Sequence, residues 1–97
     1  MLTTKQRMYL RGLAHNIKPC FQIGKEGLGD NLLRDVLNYL NKHEIMKISI
    51  LNNSLVTFDE ATEFFTEAGI EVVQKIGHLL ILYKHSDKID NPIKLPR

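Results

Sequence analysis

Gly24-Lys25-Glu26-Gly27 is a segment whose residue types and spacing suit a definite chemical task, the cradling of a phosphate. Glycines let a backbone approach a phosphate closely because they carry no Cβ. A helix starting just after the loop would point its first N–H groups at the same anion. KH domains clamp backbone nucleotides with a GXXG loop of this kind. Lys25 can add a direct phosphate contact, whereas Glu26 opposes one. The alternative is that both glycines only turn the chain.

Arg7, Arg11 and His15 are spaced i, i+4, i+8, and Lys18 follows just beyond. On a helix this spacing lines up donors about 5.4 Å apart, close enough to phosphate spacing for several contacts. A solvated helix face is the alternative. For His15 there is another, since its ring can favour the C-terminal dipole of its own helix. Lys47 and Lys84 lie on extended segments. They can reach a polyanion if the sheet face is open, or serve as edge lysines that discourage strand-to-strand aggregation.

Catalysis finds little support. His15, His43, His78 and His85 form no HxH or HxxxH pair, so no metal site is expected. No GxSxG and no Walker-type loop occurs. The single cysteine, Cys20, excludes an internal disulfide and a thiolate cluster, and is expected to be a buried, inert thiol. No catalytic residue, metal or cofactor is therefore assigned.

The elements that must position these residues alternate. Thr3 and Gln6 have capping-box spacing ahead of a helix over Lys5–Ala14, with Leu10, Leu13 and Tyr9 as its apolar side. Pro19 ends it, and Cys20–Ile23 reads as a short strand. Asp30 is the expected N-cap of a second helix with the stripe Leu32, Leu33, Val36, Leu37, Leu40. Glu44–Leu51 alternates as a half-buried strand, and Asn52-Asn53-Ser54 signals a turn. Leu55–Phe58 is a candidate for further extended chain. Thr57 and Glu60 offer a capping box for a third helix, apolar at Ala61, Phe64, Phe65 and Ala68 and acidic at Glu60, Glu63 and Glu67. Gly69 is placed to stop it. Glu71–Ile76 and His78–Lys84 read as a hairpin around Gly77. Residues 86–97 read as an extended tail.

The expectation is an α/β domain of order α-β-α-β-α-β-β, a small four-stranded sheet with three helices packed on one face. At 97 residues, residues 1–97 make a single domain. No apolar run approaches the roughly 20 residues of a membrane span, and no secretory signal is read. A cytoplasmic location fits. Net charge is only +2, but it is segregated: residues 1–47 carry +4, 48–73 carry −5 and 74–97 carry +3. If the two ends meet in the fold, one surface is basic and another acidic. No unused apolar stripe is evident, so a monomer is expected.

Several segments together resemble the YhbY-type stand-alone CRM (chloroplast RNA splicing and ribosome maturation) domain. They are Leu10-Arg-Gly-Leu-Ala-His15 with Lys18-Pro19, Ile23-Gly-Lys-Glu-Gly-Leu28 and His43-Glu-Ile-Met-Lys-Ile48. Val73-Gln-Lys-Ile-Gly77 with Leu80-Ile-Leu-Tyr-Lys84, and the ending Ile93-Lys-Leu-Pro-Arg97, complete the set. The resemblance covers essentially the whole chain.

The resemblance implies a non-catalytic RNA-binding domain with a mixed four-stranded sheet, similar to the C-terminal domain of bacterial translation initiation factor 3. RNA contact would fall on the Gly24–Gly27 loop and the neighbouring basic surface. Stand-alone bacterial members associate with precursors of the large ribosomal subunit, and plant relatives act in group II intron splicing. Precursor large-subunit ribosomal RNA is thus the expected partner, on pre-ribosomal particles. Two departures touch contact details. Lys84 stands where arginine is commoner, which keeps charge but loses bidentate geometry. Gly29 stands where a hydroxyl residue is common. The rival readings are an intron-splicing cofactor and a protein adaptor whose acidic third helix meets a basic partner such as a ribosomal protein.

Overall fold

A computed structural model describes residues 2–96; Arg97, the last residue of the closing motif, lies outside the described residues. The elements are α1 (Thr4–Ala14), β1 (Phe21–Ile23), α2 (Asp30–His43), β2 (Ile45–Ile50), α3 (Phe58–Glu67), β3 (Glu71–Ile76) and β4 (Leu79–Tyr83). The expected element order is the observed one. The sheet is mixed, in the order β1-β2-β4-β3, with β1 parallel to β2 and the other pairs antiparallel.

Local sequence explains the helix ends. Thr3 with Gln6 and Thr57 with Glu60 form complete capping boxes. After α3, Gly69 takes φ +83°. Its N–H bonds Thr66 O and that of Ile70 bonds Phe65 O, the Schellman pattern. Gly77, at φ +58°, makes the two-residue turn between β3 and β4. For α2 the cap is Gly29 rather than Asp30, which is instead the first helical residue, and no side chain caps it. Leu55–Phe58 adds no strand: residues 51–57 form a loop, from which Leu55 projects 95% exposed.

The helices pack on both faces of the sheet, not one. Met46, Ile48, Ile50, Leu80 and Leu82 meet α2 and α3 through Val36, Leu40, Ala61 and Phe65. The alternate residues Ile45, Ile81 and Tyr83, with Val73, meet Leu10 and Ala14 of α1. The continuous apolar run of β4 is the local cause, since a strand buried on both sides has no polar face to leave in water.

The buried line of α1 therefore runs through Leu10 and Ala14, while Tyr9 and Leu13 are 42% and 39% exposed. With Met8 also exposed, α1 keeps apolar side chains uncovered, contrary to the premise of the monomer expectation.

Glu44 departs furthest from the expected strand. It takes φ +64° as the C-cap of α2, and its carboxylate is 1% exposed. One oxygen accepts the N–H of Ser86 at 2.8 Å and contacts His85 Nδ1 at 2.9 Å; the other accepts the N–H of Ile93 at 2.6 Å. Ser86 Oγ also donates to Asn41 O near the end of α2. Ile93 and Leu95 pack on the α1 core, and Gln6 Nε2 donates to Pro96 O. The tail is thus a tied part of the fold.

Candidate nucleic-acid interface

The Gly24–Gly27 loop leaves β1 at the end of the sheet where β2 finishes, because Ile23 pairs with Ile50 in parallel register. Gly27 N–H bonds Gly24 O at 3.1 Å, closing a tight turn. Gly27 needs to be glycine for conformation, with φ +72°. Gly24 does not: its φ is unexceptional, and an added Cβ would meet only Leu51 Cδ1 at an ordinary 3.7 Å. Lys25 and Glu26 are exposed at the tip, and α2 begins three residues after Gly27. Beside the loop lies a hollow of about 460 Å³ that includes Gln22, Asn31, Asp35 and Asn53 in its wall.

α1 touches β2, β3 and β4, so it lies across the strands. Its Leu2–Gln6 flank meets the C-terminal tail, where β4 ends. On a 100° wheel, Arg11 and His15 fall on the opposite flank, facing the end that carries the loop. Both are exposed, around a small hollow shared with Met8 and Gly12. Between this flank and the loop, α1 leaves half of the sheet face uncovered. Cross-strand register and alternation place Gln22, Ser49, Gln74, Ile76 and Leu79 there.

Lys47 belongs to the same row. It is 9% exposed, so its stem is buried. No buried side-chain nitrogen lacks a partner among the described residues, and Lys47 has no bonded partner of its own, so its ammonium reaches the surface. Lys18 is exposed on the connection into β1.

Two of the basic candidates stand apart. Arg7 is half-buried: its Nη1 donates to Val72 O and Val73 O, each at 2.9 Å, and Nη2 lies 3.9 Å from Glu71. It sits only about 40° on the wheel from the buried Leu10–Ala14 line, which brings it onto the β3 edge. There the chain bulges between Val72 and Gln74, and Arg7 holds the carbonyls that the bulge leaves. Lys84 follows β4 directly at the far end of the sheet, beside Tyr83, His85 and Ile93. The polar sheet residues Gln22, Ser49 and Gln74 were not singled out from the sequence. Their signal was alternation within strands, read there only for burial.

Cys20 is exposed, not buried, and its Sγ donates weakly to Lys47 O at 3.6 Å. Burial, followed by the charge and hydrogen bond of Cys20, raises the Tyr39 phenol above its usual pKa. Burial and then Glu44 raise that of Tyr83. Among the described residues no group of three or more His, Cys, Asp or Glu side chains is placed to hold a metal. Among these residues, no helix is long and apolar enough to cross a membrane.

Residues 2–84 match the CRS1 / YhbY (CRM) domain. The chain belongs to this family. It is 37% identical over 97 residues to the Bacillus subtilis protein named "Probable RNA-binding protein YqeI", covering 99% of this chain and 100% of the relative. It is 36% identical to a Haemophilus influenzae protein named "RNA-binding protein", covering 99% and 96%. The solution structure of SAV1595 from Staphylococcus aureus is 39% identical, with a TM-score of 0.75, and covers 99% of this chain and 100% of that one. The resemblance read from the motifs and the α/β architecture both hold.

Proposed function

We propose that this protein binds RNA through the Gly24–Gly27 loop, the Arg11–His15 flank of α1 and the open half of the sheet between them, and that its RNA is precursor large-subunit ribosomal RNA. One observation carries the reading: the CRM chain presents its GxxG loop and its exposed α1 cations toward one uncovered half-face that carries Gln22, Ser49 and Gln74 beside Ile76 and Leu79. Family membership and the printed names of the curated relatives support RNA as the ligand.

The chemistry is recognition without a reaction. Loop amides and Lys25 meet phosphates, Arg11, His15 and Lys47 extend the cationic border, and the amides of Gln22 and Gln74 offer donors and acceptors to bases or 2′-hydroxyls. Net charge is modest, so a folded RNA matching this surface is favoured over any polyanion. The acidic residues of α3 belong to the opposite layer, which suits their role as a solvated face.

Co-sedimentation of the tagged protein through a sucrose gradient tests the assignment. Wild type should travel with the large-subunit precursor peak, and a folded Arg11→Glu, Lys18→Glu variant should stay at the top. Wild type at the top would contradict the ribosomal part of the reading. Loss of co-migration on Glu63→Lys, Glu67→Lys instead would favour the adaptor.

A further inference from the structure

The edge of β1 carries an aromatic step that the reading above does not use. Tyr39 stacks on His43 with ring centroids 4.2 Å apart and planes 29° apart, and Phe21 meets Tyr39 edge-on at 5.7 Å. Phe21 and Tyr39 are half-buried, whereas His43 is exposed at the end of α2. One ring of the stack is thus anchored and the outer one has a free face. The rings line a hollow of about 350 Å³, completed by Asp35, Asn38 and Lys42.

This hollow continues the one beside the GxxG loop. Asp35 lines both, so a single track runs along the β1 edge of α2 from Gly24–Gly27 past Asn31 and Asp35 to His43. From Asn31 to His43 the helix advances about 18 Å. Lys42 flanks the far end, and Lys18 enters the same edge two residues before Cys20, the neighbour of Tyr39.

We infer that His43, stacked on Tyr39, is a subsite for an unpaired RNA base at the far end of this track, with Lys42 beside it for the phosphate. A ring backed by a second ring presents a rigid π-face at little entropic cost, and single-stranded RNA is held on such faces. Asp35 disfavours a phosphate at the middle of the track, but its carboxylate accepts from the exocyclic amine of a base. The inference rests on the RNA-binding reading and adds to it a preference for unpaired nucleotides.

The sequence has no tryptophan, so His43→Trp introduces a sole reporter at the site. Oligoadenylate should quench that fluorescence on binding, and a duplex RNA of equal length should not. In the otherwise unchanged protein, His43→Ala should weaken oligoadenylate binding about tenfold while leaving duplex binding unaltered, and His43→Phe should restore it. Unquenched fluorescence, or a His43→Ala variant of unchanged affinity, would overturn the subsite. If Arg11→Glu then still abolished RNA binding, the wider reading would stand without it. Wild type that bound neither RNA would overturn the subsite, and the wider reading would then be decided by the sucrose-gradient test alone.

Discussion

The carboxylate of Glu44 accepts the backbone N–H of Ile93 at 2.6 Å across 49 positions of chain. Its other oxygen takes the N–H of Ser86, so two backbone donors depend on one buried side chain. Glutamine at this position has a single acceptor oxygen, and its amide nitrogen would face one of those N–H groups. Glu44→Gln is therefore expected to destabilise the fold by about 2 kcal/mol, near the cost of losing a hydrogen bond to a charged group. Urea denaturation would measure it. Hydrogen exchange should show Ile93 losing protection before the core of β4 does.

The two loop glycines separate folding from binding. Gly27→Ala forces an L-residue to φ +72° and should cost about 1 kcal/mol. Gly24→Ala meets no such strain, so its melting temperature should stay close to wild type. A several-fold loss of RNA affinity in Gly24→Ala then reports backbone approach to phosphate. Thermal melts beside anisotropy titrations would show both effects.

Arg7 and Arg11 are one helical turn apart and should fail differently. Arg7→Ala removes the donors from Val72 O and Val73 O and should lower stability by about 1 kcal/mol. Arg11→Ala should leave stability alone, weaken RNA binding and lower the salt dependence of log K by about one unit of slope. Salt titrations of both variants provide the comparison.

Alkaline pH should expose the tyrosines. Burial, with Glu44 adding to it, raises the Tyr83 phenol in the folded chain, while the unfolded group titrates near pH 10. Below about pH 10 both states hold the proton and the stabilisation is complete. It is lost as pH rises toward the folded pKa, because the unfolded state ionises first. Tyr39 is shifted in the same direction. Tyr83→Phe should therefore reduce, without abolishing, the fall in stability above pH 10 in a series of urea melts.

What was legible in the sequence was local. The capping boxes at Thr3 and Thr57, the stop at Gly69 and the turn at Gly77 each depend on a few adjacent residues, and each is present. The side of the sheet that α1 takes was not legible, because a wheel shows an apolar stripe but not the layer that receives it. The same limit hid the fate of Arg7, which a small rotation carries onto the β3 edge. Glu44 was hidden for another reason. Its partners Ser86 and Ile93 are distant in sequence, and a glutamate in left-handed conformation has no composition signal. The Gly24–Gly27 turn was legible because its residues are contiguous, whereas Gln22, Ser49 and Gln74 share one sheet face only through strand register.

The most direct test of the central claim is an NMR titration of the isotope-labelled protein with a fragment of precursor large-subunit ribosomal RNA. The account predicts amide shifts that concentrate on Gly24–Gly29, Arg11–His15 and Lys47–Ser49, with α3 silent. Shifts confined to Glu60–Glu67, or none at saturating RNA, would contradict it.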